Sequence, residues 1–143
     1  MRDAKTPVTP QRITQLLGND LIPSVTDPEG TVFAVALPAN LSLTPTEDGI
    51  VVAGRWHRQL AATHAGSARR ACAAFNARAA GPSAVVTLLD DGSAQIVGHK
   101  LIWAAGGIDS IQLRSALHDA INQFKDLSAF LDAQFPDQWM EAK

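Results

Sequence analysis

Apolar positions along this chain fall into two periods. Spacings of three and four mark helices, and strict alternation marks strands. Ile13, Leu16 and Leu17 make the first helical stripe. Thr9 is placed to cap it, Pro10 suits its first turn, and Gly18-Asn19 stops it after about two turns. A helix that short is unstable alone, so its stripe must dock on something. Leu21–Val25 reads as a short strand containing Pro23, which confines it to an edge or a strand start. Asp27-Pro28-Glu29-Gly30 is a turn, with proline second and glycine fourth. Thr31–Leu37 alternates, with Phe33, Val35 and Leu37 on one face and Val32, Ala34 and Ala36 on the other. Residues 39–48 carry Asn40, Pro45 and Asp48 and read as a loop or a weak strand around Leu41–Leu43. Gly49–Trp56 sets Ile50, Val52 and Trp56 against Val51, Ala53 and Arg55.

Ala65, Ala68, Cys72, Phe75 and Ala79 then return to helical spacing, over about fifteen residues ended by Gly81-Pro82. The stripe is small except at Phe75. Ala84–Leu89 and Ser93–Trp103 flank Asp90-Asp91-Gly92, a hairpin signal, since Asp-Gly accepts positive φ. Val97, His99, Leu101 and Trp103 alternate with Ile96, Gly98, Lys100 and Ile102. After Gly106-Gly107, Asp109 or Ser110 caps a last helix, with Gln112 at the reciprocal position if Asp109 is the cap. Its stripe is Leu113, Leu117, Ala120, Ile121 and Phe124, continuing through Leu127, Phe130 and Leu131 with a bend expected near Asp126. Pro136 ends it. The predicted order is α-β-β-β-α-β-β-α: an α+β fold whose sheet is mainly antiparallel and carries the helices on one face or at an edge.

A length of 143 residues suits one domain with a real core. Residues 1–8 are polar and unpatterned, so a flexible N-terminal arm is expected there, with 9–143 as a single domain. The formal charge is −2 and no basic tract exists, which argues against nucleic-acid binding. No run approaches a membrane span, and MRDAKTPVTP has no apolar signal core. With Cys72 alone, no internal disulfide can form. A cytoplasmic protein with no membrane partner is the resulting expectation. The high alanine content points to a bacterial genome.

The ordered set of elements resembles the type III secretion chaperone-like fold. Within that fold the chain is similar to the YbjN-domain family, whose members are described as bacterial sensory transduction regulators. The resemblance spans residues 9–136. It lies in "TPQRITQLL", in "GIVVAGRW" ending at Trp56, and in "AAFNARAAGPSAVV" with Asn76 ahead of the Pro82-led strand. It continues in "GGIDSIQLRSALHDAINQF" and "FLDAQFP". The second helix is shorter and richer in alanine than the family pattern. The resemblance implies a non-enzymatic protein-binding or regulatory module, often dimeric.

Reactive chemistry is poorly supported. His57, His64, His99 and His118 lack the local spacing of a zinc motif, and no second cysteine exists to complete a thiolate site, so no metal or cofactor is expected. Cys72 could be a nucleophile only if exposed beside a base such as His64 or His57; its stripe predicts burial beside Phe75. Asp90-Asp91-Gly92 is too short for a calcium loop, and the glycines match neither a phosphate loop nor a dinucleotide fingerprint. Glu47, Asp48 and Asp109 give no reason to pair as acid and base. No catalytic residue is assigned.

Five residues remain as ligand or interface candidates: Trp56, Asn76, His99, Trp103 and Trp139. Asn76 suits a helix end, or a polar anchor for a ligand. His99 shares alternation with Leu101 and Trp103 and is expected to be partly buried. Trp56 and Trp103 fit the edges of a core, with Trp139 folded back on the last helix; exposed, each would mark a partner surface. The expected function is an interaction module that binds a protein partner or a second copy of itself. Its contact would use the Ser93–Trp103 strand, or the small-faced helix at 65–79. The alternative is a small-ligand sensor, with Trp56, Asn76, His99 and Trp103 lining a pocket between sheet and helix. A cysteine-dependent enzyme at Cys72 is the third reading.

Overall fold

A computed structural model of the chain describes residues 5–36, 39–78 and 81–136. Helix α1 (Pro10–Asn19) begins where Thr9 Oγ1 accepts from the Arg12 amide at 3.2 Å, and it buries Ile13 and Leu17. Strand β1 (Ser24–Thr26) is shorter than its apolar run. Asp27 then builds the turn, its Oδ1 accepting from the Glu29 and Thr31 amides at 3.0 and 2.9 Å. Strand β2 (Val32–Ala36) follows, then β3 (Ala39–Thr46) and β4 (Gly49–Leu60). A short 3-10 turn leads into α2 (Ala65–Asn76), then β5 (Ser83–Leu88), β6 (Ala94–Trp103) and α3 (Ser110–Gln134).

The α+β order is the expected one, with the ambiguous 39–48 segment resolved as the full strand β3. Asn40 and Pro45 weaken its local preference, but β3 lies between β2 and β4 and pairs with both. Pro45 falls past the last β2 pair, Val32–Leu43. Tertiary pairing overrides propensity here. Strand β4 runs four residues beyond Trp56 because two extra residues between Arg55 and Gln59 bulge it against β6.

All neighbouring strands are antiparallel, in the order β1-β2-β3-β4-β6-β5. The sheet's two edges are therefore β1 and β5, and β6 is internal. Residues 5–8, expected to be a loose arm, are pinned: Thr6 and Ile108 exchange main-chain bonds, and Arg12 Nη2 donates to the Ile108 carbonyl at 2.7 Å. Asp109 and Gln112 form the capping box of α3, which then runs without interruption past Asp126.

The helices pack on one face of the sheet. One apolar cluster joins Ile13 and Leu17 to Leu41, Leu43, Ile50, Leu113, Leu117 and Phe124. A second joins Trp56, Leu60, Cys72, Phe75 and Ile96 to Leu127 and Leu131. Helix α3 contributes to both. Among the described residues, no helix is long and apolar enough to cross a membrane.

Candidate interaction face

Alternation along each strand sends half the side chains away from the helices. The register aligns them in rows. One row reads Val25, Phe33, Ser42, Ala53, His99 and Ser83 from edge to edge. The next reads Val35, Asn40, Arg55, Val97 and Val85, and a third sets Thr44 beside Val51 and Leu101. No described element covers this face. Phe33 is 45% exposed, Val51 39% and Trp103 70%. Large apolar side chains left exposed together on one uncovered face mark interaction sites in soluble domains.

The five candidates divide between the two faces. Trp103 and His99 stand on the uncovered one. Trp103 is no core edge, and His99 is exposed rather than partly buried, because the alternation they share faces away from the helices. Trp56 is buried under α3, where its Nε1 donates to Asp132 Oδ1 at 3.0 Å and its ring meets Phe135 with centroids 5.7 Å apart. Asn76 is structural but not in the local manner of a helix end. Its amide nitrogen donates to the Ala84 carbonyl at 2.9 Å, and its oxygen accepts from the Ala84 amide at 2.7 Å. It thus imitates a neighbouring strand at the β5 edge. Trp139 lies outside the described residues. A pocket between sheet and helix lined by Trp56, Asn76, His99 and Trp103 is therefore not formed; apolar side chains fill that layer.

Two surfaces expected to mediate contact are occupied. Both edges of the Ser93–Trp103 strand are taken, since β6 pairs with β4 and β5, and only its face is open. The small stripe of α2 points inward, with Ala68, Ala71, Cys72 and Phe75 all buried. Cys72 is 4% exposed, and burial pushes its thiol pKa up, away from the reactive thiolate. Among the described residues, no three His, Cys, Asp or Glu side chains gather closely enough to hold a metal ion.

The uncovered face is concave where β4 bulges. A hollow of about 710 Å³ opens there, walled by Phe33, Val35 and Val97, with Asn40, Ser42 and Arg55 among its polar members. Gln95 lies beside Arg55 and is 8% exposed, although it projects to the uncovered side. With its amide oxygen turned toward the guanidinium, it accepts from Arg55 Nη1 and Nε, each at 3.1 Å. Alternation put Arg55 on this face in the sequence. Nothing in the sequence singled out Gln95, whose role depends on register across the bulge.

Elsewhere, Asp20 at the end of α1 is held by α3. It accepts from Arg114 Nη2 at 2.6 Å and Nε at 3.1 Å, and lies 2.7 Å from His118 Nε2. The Arg114 bonds, then those of His118, hold its carboxyl at about 2. This network clamps two elements at the surface and forms no cleft.

No family model matches the chain, and no curated protein matches it. Among solved structures, it is similar to the crystal structure of YbjN, a proposed transcription regulator from E. coli. The TM-score is 0.77 at 10% identity, covering 91% of this chain and 95% of that one. The elements, their order and their packing on one side of a six-stranded sheet therefore give this chain a YbjN-like α+β fold.

Proposed function

We propose that this protein is a non-enzymatic interaction module, regulatory in role, that docks a protein partner or a second copy of itself on the uncovered face of its sheet. The observation that carries this reading is the run of exposed apolar side chains across that face, from Phe33 and Val35 through Val51 to Trp103. An antiparallel sheet with one wet face usually presents polar residues there. Burying the apolar ones on association would return about 25 cal/mol per Å² before the costs of ordering. The buried thiol of Cys72 and the modest net charge fit a role without covalent catalysis and without nucleic acid. The fold likeness to a proposed regulator agrees with a regulatory role.

The test is sedimentation velocity at micromolar concentration, on the wild type and on Val51→Glu and Trp103→Glu. The wild type is expected to sediment as a dimer or with a co-purified protein, and each variant as a monomer with unchanged circular dichroism. A monomeric, partnerless wild type that the variants do not alter overturns the reading.

A further inference from the structure

We propose that Arg55, held by Gln95 in the hollow of the uncovered face, is the anchor of a binding site for a carboxylate carried on an apolar body. The argument starts from Gln95. A primary amide nine-tenths buried must find partners, since an unpaired one costs about 1–3 kcal/mol in proteins. An apolar residue there would fill the same space without that cost. What the glutamine adds is a fixed acceptor for two donors of one guanidinium. A guanidinium has five N–H donors in a rigid plane. With Nε and Nη1 both 3.1 Å from the Gln95 oxygen, Nη2 has no partner among the described residues, and Arg55 lines the hollow.

Among the described residues nothing completes the guanidinium: no acidic residue lines the hollow and no carboxylate pairs with Arg55. Arg114, by contrast, has Asp20. An oriented arginine without an anion, set among apolar walls, is built to receive one. Planar carboxylates fit a guanidinium through paired hydrogen bonds.

The walls choose the rest of the ligand. Phe33, Val35 and Val97 offer an aromatic ring and two branched side chains, while Asn40 and Ser42 add neutral hydrogen-bonding groups. A volume of about 710 Å³ lies within the roughly 300–1,000 Å³ range of ligand sites. An aryl or branched aliphatic acid matches both features. A free phosphate has no apolar part to use these walls and would meet a single guanidinium. The carboxylate could belong to a free small acid or to the terminus of a peptide, since both carry the same group beside an apolar side chain. This site stands on the Arg55–Gln95 geometry, not on protein docking at Trp103.

The experiment is a ¹H–¹⁵N titration observing arginine Nε–H and glutamine side-chain signals. The probes are phenylacetate, phenylacetamide, inorganic phosphate and acetyl-Ala-Phe with a free carboxyl terminus. Saturable shifts at Arg55 and Gln95 are expected with phenylacetate and the dipeptide but not with phenylacetamide. Whichever of the two acids saturates at lower concentration identifies the source of the carboxylate. Arg55→Gln should weaken binding about tenfold or more. Arg55→Lys should recover only part of it, because an ammonium lacks the planar fork. Gln95→Met, which keeps the charge but frees the guanidinium, should weaken binding by a smaller factor. Trp103→Glu, which lies outside the hollow, should not weaken it even where it releases a docked partner, which separates this site from the docking reading. Arg55 is exposed, so its variants should keep the wild-type circular dichroism, with a denaturation midpoint lowered only by the lost Gln95 pairing. Equal response to phenylacetamide, equal saturation by phosphate, or unchanged binding by Arg55→Gln would each overturn the proposal.

Discussion

Gly54 and Gly98 face one another across β4 and β6, and the ring of Phe124 from α3 lies against the gap that their missing side chains leave. A Cβ at Gly54 would fall 2.6 Å from Phe124 Cδ1, and one at Gly98 would fall 2.9 Å from Phe124 Cε1. The pair lets the helix come down onto the sheet backbone.

Gly54→Ala and Gly98→Ala should each destabilise the protein by about 1–3 kcal/mol through overpacking. Gly18→Ala is the contrast. Its added Cβ meets nothing within 4 Å, and it lies inside α1. There alanine should be neutral or stabilise by up to about 1 kcal/mol. Urea denaturation of the three variants tests the claim; equal midpoints would refute it.

Asn76→Ala should cost about 1–3 kcal/mol, because it removes both bonds to the Ala84 main chain. Hydrogen exchange at the Ala84 amide should quicken by more than at the paired amides deeper in β6. Asn76→Asp should rescue poorly, since a carboxylate cannot donate to the Ala84 carbonyl.

Acid should reveal the Asp20 clamp. Its carboxyl sits at about 2 when folded, below the ordinary 3.8, so the pairing contributes fully above about pH 4 and is lost as pH falls toward 2. The stability difference between wild type and Asp20→Asn, measured by denaturation from pH 6 to pH 2, should therefore shrink across that window. A difference that stays constant down to pH 2 would remove the clamp from the account.

Cys72 should resist thiol reagents until the protein opens. Labelling at pH 8 is expected to be slow in water and to quicken through the urea transition, tracking unfolding measured by fluorescence. Rapid labelling of the folded protein would reopen the case for a reactive cysteine.

The stripes of α1, α2 and α3 and the alternation of β2, β4 and β6 were legible because each element has a single buried side, and period then reports burial. Alternation cannot say which side is covered when both are apolar. Val97, Leu101 and Trp103 look as much like core as Ile96 and Ile102 do, so the period alone does not separate a core-edge Trp103 and a partly buried His99 from exposed ones. Strand β3 was obscured by Asn40 and Pro45, whose local preferences yield to two flanking ladders. Gly98 and Gln95 carried no signal at all. One is defined by an absent side chain that Phe124 exploits, the other by a bulge that sets it beside Arg55. The pocket between sheet and helix failed for a related reason. Trp56 fits the core edge that its alternation allows, and its Nε1, the one polar atom it could offer a ligand, is satisfied by Asp132 of α3.

Helix α3 follows all six strands in the chain and yet supplies side chains to both apolar clusters. During synthesis the sheet emerges with one broad side bare and the other covered only in part by α1 and α2, until α3 follows the last strand and seals it. Apolar surface is open on both sides until then, and on one of them it stays so after folding is finished. Such a protein should depend on holding factors at the ribosome more than its small size would imply.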